Sequence, residues 1–139
     1  MRVISACGGS VRGKTIAVLG LTFKPETDDM RDSPSLSILS RLAGDGAIIR
    51  AYDPEGMEQA RALLPDAVQY CTDAMDAVAG ADALVVITEW NEFRALAPTR
   101  LAEAMRGRVL VDLRNVYDPV AMRQAGFEYH GIGRASLRI

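Results

Sequence analysis

Two cysteines, one histidine and one tryptophan in 139 residues leave several common chemistries without their parts. Cys7 and Cys71 stand far apart, neither belongs to a C-x-x-C pair, and His130 lies near neither in sequence. A metal centre or a thiol–imidazole couple is therefore not expected. Two unpaired thiols fit a reduced, cytoplasmic setting better than a disulfide framework. No apolar run approaches the about 18 residues that a membrane span needs. The opening MRVISACGGSVRGK holds an apolar patch too short for a signal peptide. Charge of one sign is lacking too: 16 basic and 18 acidic residues are well mixed, with a net charge of −2. That argues against a nucleic-acid-binding face and leaves room for a local cationic pocket around a phosphate. The most informative absence is the G-x-G-x-x-G turn, without which a complete dinucleotide-binding domain is not expected.

What is present is ordinary for a soluble globular chain: 49% apolar and 24% charged residues. The length suits one domain that buries roughly two-thirds of its unfolded surface. Apolar runs alternate with segments of helical period. Thr15–Leu19, residues 47–52, a weak run at 68–70, residues 83–87 and residues 109–111 read as strands. The runs at 83–87 and 109–111 are continuous and rich in Val, as in strands covered on both faces. Leu36, Leu39 and Ala43 share one helical face; Met57, Ala60 and Leu64 share another, and Leu101, Ala104 and Met105 a third. Turn residues fill the gaps, and residues 127–133 read as a closing edge strand. The expected fold is a single doubly wound α/β domain, a Rossmann-like three-layer sandwich around a mostly parallel sheet.

In such a sheet, ligands bind beyond the carboxyl ends of the strands. The segments to examine are 20–34, Asp53-Pro54, residues 88–91 and residues 112–118. The first, GLTFKPETDDMRDSP, stands out. Ser33 followed by Pro34 reads as a helix cap with Pro at the first helical position. About a dozen loop residues precede it, long for a strand-to-helix connection, and loops of that length tend to be functional. Lys24, fixed beside Pro25, and Arg31 could each meet a phosphate or ribose. The plainer reading of an isolated loop cation is solvated surface. Against it stand the position of the loop and a further cation, Arg114, which follows residues 109–111 in the same layer. Asp53 occupies the place of a ribose-binding acid, but without the glycine-rich turn a turn-forming role for Asp53-Pro54 is the better reading.

GKTIAVLGLTFKPETDDMRDSPSL, ADALVVITEWNEF, VDLRNVYDP and FEYHGIGR, in that order, resemble the C-terminal domain of the UDP-glucose/GDP-mannose dehydrogenase family. The resemblance runs from about residue 13 to residue 134. It implies an NAD-dependent oxidoreductase that converts a nucleotide sugar to its uronate, with a homodimeric parent enzyme. It divides the chain into the end of a central helix or linker at 1–12, a nucleotide-sugar-binding domain at 13–134 and a tail at 135–139. Phe23 and Lys24 match the pair that contacts the nucleotide sugar, Arg114 an arginine on the same ligand, and Arg31 an arginine that reaches towards NAD held by another domain. Thr88, Glu89 and Trp90 match a signature with structural roles, a buried indole and a helix-capping carboxylate. The family's catalytic cysteine and its glycine-rich NAD domain have no counterpart here. Cys7 is expected at the frayed end of the central helix, and the chain is expected to be inactive alone. The LTFKP, TEWNEF and LRNVYDP forms favour the UDP-glucose branch over branches acting on GDP-mannose or UDP-N-acetylhexosamines. A free-standing regulatory module, such as a phospho-receiver, is the contrasting class. Gly20-Leu21-Thr22, Tyr70-Cys71-Thr72 and Asp112-Leu113-Arg114 stand where a receiver needs its acids and lysine, which opposes it.

Overall fold

The computed structural model describes residues 7–21, 34–55, 57–64, 68–88 and 90–131. Six strands, β1 (Thr15–Leu19), β2 (Ile48–Tyr52), β3 (Gln69–Tyr70), β4 (Ala83–Val86), β5 (Val109–Asp112) and β6 (Glu128–Gly131), form one sheet in the order β3-β2-β1-β4-β5-β6. All pairings are parallel, so the sheet goes beyond the mostly parallel expectation. Between the strands lie helices α1 (Pro34–Gly44), α2 (Met57–Leu63), α3 (Ala74–Val78), α4 (Asn91–Arg94), α5 (Pro98–Ala104) and α6 (Pro119–Gln124). Helix α1 begins at the proline that the sequence marks as its first residue. The expected closing edge strand is β6.

Strand alternation sorts the core into two layers. Ala17 and Leu19 of β1 and Leu84 and Val86 of β4 face one cluster, with Ala77, Leu101 and Met122 from α3, α5 and α6. Ile16, Val18, Ala83 and Val85 face the other, with Leu39 and Leu42 of α1 and Ala60 of α2. All four residues of β4 are fully buried, as expected for a strand covered on both faces. Each fully buried Val or Leu stabilises the fold by about 1.5–3 kcal/mol of transfer free energy, so this central pair of strands anchors the remainder. Short polar devices start the helices. Asp73 accepts from the Asp76 amide at 2.7 Å to cap α3, and Asp118 accepts from the Val120 amide ahead of α6, where Pro119 has no N–H and so needs no acceptor.

Residues 7–9 form turns, with Gly8 and Gly9 at the left-handed φ values of +85° and +93°; residues 1–6, from which the expected helix end would run, lie outside the described residues. Cys7 and Val11 are buried in the second cluster, and Lys14 Nζ donates to the Cys7 carbonyl at 2.5 Å. At the amino end of the sheet, Asp82 Oδ2 accepts from the Thr15 amide at 2.8 Å. Arg106 closes a two-pronged pair on the same carboxylate at 2.7 and 2.8 Å. These contacts lie at the opposite end from the ligand edge.

Candidate functional site at the carboxyl edge of the sheet

The chain leaves β1 towards β2 and later returns to the other side of β1 at β4, so strand direction of travel reverses between β1 and β4. Ligands of doubly wound domains collect at the carboxyl ends there. Gly20, just after β1, has φ +95°, and a Cβ placed on it would sit 2.5 Å from both the nitrogen and the Cβ of Thr88. Thr88 itself is buried. The exits of β1 and β4 are therefore packed directly against each other.

Asp53, at the end of β2, is fully buried. Its Oδ2 accepts from the Leu21 amide at 2.7 Å and its Oδ1 from the Glu55 amide at 2.8 Å. The carboxylate thus clamps the exit from β1 and shapes its own turn, as the turn-forming reading expects. Gly20 thus packs on Thr88, and Asp53 ties the exits of β1 and β2 together.

Next to Asp53, Tyr52 projects to the other face. Its hydroxyl donates to Glu92 Oε2 at 3.2 Å, and its ring meets Phe93 edge-on, with centroids 6.2 Å apart. Burial first, then the Glu92 carboxylate, pushes the Tyr52 hydroxyl up to about 12. Trp90, on the same side, is a buried indole, as the sequence leads one to expect; Glu89 lies outside the described residues.

The end of β5 carries the other buried acid. Asp112 is fully buried and its oxygens receive the Arg114 amide (3.2 Å), the Tyr117 amide (2.9 Å) and the Tyr129 hydroxyl (2.8 Å). Tyr117 in turn donates its hydroxyl to the Phe93 carbonyl at 2.6 Å. Its burial, and secondarily the nearby Asp112 charge, raise its pKa well above the ordinary tyrosine value. Arg114 is half-buried and its Nε donates to the Ile87 carbonyl at 3.2 Å, which lays its side chain across the end of β4, towards the reversal point.

Of the residues singled out in the sequence, Arg114 stands at this edge, whereas Phe23, Lys24 and Arg31 lie outside the described residues. Both β1 and β5 pair with β4. Two strand spacings of about 4.8 Å therefore separate the segment that leads to Lys24 from the one that carries Arg114. Sequence reasoning passed over Asp112, Tyr129 and the Tyr52–Glu92 contact. The available signal was an acid closing an otherwise apolar strand, Val109–Asp112. The two cysteines are buried and unbridged, and burial raises both thiols above their ordinary pKa, which opposes a reactive thiolate at either.

Strand order, reversal point and the two acid-anchored strand exits define a doubly wound α/β domain with its candidate site at the carboxyl edge of the sheet. The chain belongs to the UDP-glucose/GDP-mannose dehydrogenase family, whose UDP binding domain matches residues 17–119. It is 54% identical over 133 residues to the UDP-glucose 6-dehydrogenase of Rhizobium meliloti (strain 1021), covering 96% of this chain and 30% of that protein. It is 40% identical to UDP-glucose 6-dehydrogenase TuaD of Bacillus subtilis (strain 168), covering 94% of this chain and 28% of the relative. Among solved structures, a UDP-glucose dehydrogenase from Pyrobaculum islandicum superposes with a TM-score of 0.77 at 32% identity, over 96% of this chain and 28% of that one. An NDP-N-acetyl-D-galactosaminuronic acid dehydrogenase from Methanosarcina mazei Go1 gives 0.82 at 27% identity, over 97% and 28%. The chain thus spans about 30% of the length of the curated relatives it matches. Among the described residues, no helix is long and apolar enough to cross a membrane.

Proposed function

We propose that this chain is the UDP-binding part of an NAD-dependent UDP-glucose 6-dehydrogenase, the enzyme that takes UDP-glucose to UDP-glucuronate. The observation that carries the reading is Arg114 at the carboxyl ends of β4 and β5 in a chain that matches a family UDP binding domain, with Nε donating to the Ile87 carbonyl. In this reading Phe23 packs against the nucleotide sugar, and Lys24 and Arg114 meet its diphosphate, each as a cation at one anionic ligand. Arg31 addresses NAD, which is held chiefly by the rest of such an enzyme, since the G-x-G-x-x-G turn is missing from this sequence. The catalytic cysteine also belongs to that remainder, because Cys7 and Cys71 are buried thiols of raised pKa. The nucleotide-sugar domain is residues 13–134, and the working enzyme is a cytoplasmic homodimer. Branches using GDP-mannose or UDP-N-acetylhexosamines share the fold, and nucleotide preference separates them.

Calorimetric titration of UDP, UDP-glucose, UDP-N-acetylglucosamine, GDP and NAD into the chain tests this. UDP and UDP-glucose are expected to bind, NAD alone not to, and Arg114→Ala to weaken UDP about tenfold or more. Tighter binding of GDP than of UDP would move the chain to another branch. NADH formation from UDP-glucose by this chain, surviving Cys7→Ser and Cys71→Ser, would refute the division of labour.

A further inference from the structure

We propose that Asp112 is a positioning residue for Arg114: the carboxylate sets where the arginine stands at the ligand edge, without touching the ligand itself. The inference rests on the reading of Arg114 as a diphosphate-binding cation. Three observations carry it. First, Asp112 is fully buried and accepts from three donors: the Arg114 amide on Oδ1, and the Tyr117 amide and Tyr129 hydroxyl on Oδ2. Second, the loop between these amides is fastened at both ends. Leu113 continues the sheet ladder by donating to the Val86 carbonyl at 2.9 Å, and Tyr117 is tied through its hydroxyl to the Phe93 carbonyl. Third, the loop turns at Asn115, whose left-handed φ of +53° suits an asparagine and gives the segment a defined tight bend between its two fastened ends. Arg114 sits in this fastened turn, and its Nε reaches the Ile87 carbonyl. The course of its side chain depends on where its own amide is held.

The site requires an acceptor on both oxygens. An asparagine at 112 matches the size but replaces one oxygen by an NH₂ group. Whichever way that amide rotates, a donor faces either the Arg114 amide or the pair formed by the Tyr117 amide and the Tyr129 hydroxyl. Asp112→Asn therefore displaces one end of the loop, and Arg114 with it, without removing any cation from the chain. Tyr129→Phe is milder, since it removes one of three donors and keeps the carboxylate.

A double-mutant cycle on UDP affinity distinguishes positioning from bulk stabilisation. With the intact chain, Asp112→Asn is expected to weaken UDP binding about tenfold, and Tyr129→Phe about threefold. In an Arg114→Ala background the same changes are expected to cost less than about twofold, because the residue they position is gone. Losses that simply add in the double variants, or an Asp112→Asn protein that folds and binds like wild type, would overturn the proposal. Should Asp112→Asn not fold, the Tyr129→Phe cycle gives the same decision. If the wild-type chain does not bind UDP, the functional reading fails, and the positioning claim is judged separately by NMR. The Arg114 Nε–H resonance should then shift in Asp112→Asn and Tyr129→Phe, and an unmoved resonance in both counts against it.

Discussion

Gly20 lies so close beneath Thr88 that a methyl group on its Cα would stand 2.5 Å from the Thr88 backbone nitrogen. Two backbones this near fix the relative height of β1 and β4, the pair between which the chain reverses. Gly20→Ala meets two obstacles at once, a left-handed φ of +95° and a contact that only backbone movement can relieve. It is expected to destabilise the fold by about 2–4 kcal/mol. Thermal unfolding should show a fall of roughly 6 °C or more; an unchanged midpoint would mean that the strands separate freely.

Asp53 joins β2 to the exit of β1 by accepting the Leu21 and Glu55 amides. Asp53→Ala leaves two such donors without this acceptor and should cost about 3 kcal/mol. Asp53→Asn, which keeps one oxygen, should cost less. Urea unfolding midpoints of the two variants check the order. A ribose-binding role predicts the contrary pattern, with stability near wild type.

Alkaline pH should weaken the fold through its tyrosines. Tyr52 is raised to about 12 in the folded state, against about 10 when unfolded, and Tyr117 is raised as well. A group that holds its proton more tightly when folded contributes its full stabilisation below the unfolded pKa and loses it as pH climbs through the folded one. Unfolding free energy should therefore decline as pH rises from about 10 towards about 12. In Tyr52→Phe that decline should be shallower, with stability at pH 7 changed by about 1 kcal/mol or less. A slope identical to wild type would remove Tyr52 from the account.

Much of the fold was legible because each element carries its own local signal. The residues at 83–87 announce a strand covered on both faces by an unbroken apolar run, and Ser33-Pro34 announces the start of α1. The ligand edge was less so. Arg114 could be marked as a cation following a strand, but its hold on the Ile87 carbonyl depends on β4 and β5 being neighbours, a fact of sheet order. Asp112 and Tyr129 lie 17 residues apart and meet only because β6 pairs with β5. Periodicity records which face a residue occupies, not which distant hydroxyl will reach it.

The Tyr129 hydroxyl also bears on where the smallest usable piece of this chain ends. The family match stops at residue 119, yet the third donor to Asp112 arrives from β6. A piece trimmed to the matched span would carry every residue that defines the family match while uncovering the flank of β5, an apolar strand next to an acid stripped of a partner. Exposed flanks of that kind recruit other chains. The stretch that similarity recognises and the stretch that closes the Asp112 network are therefore different lengths, and Tyr129 marks the difference.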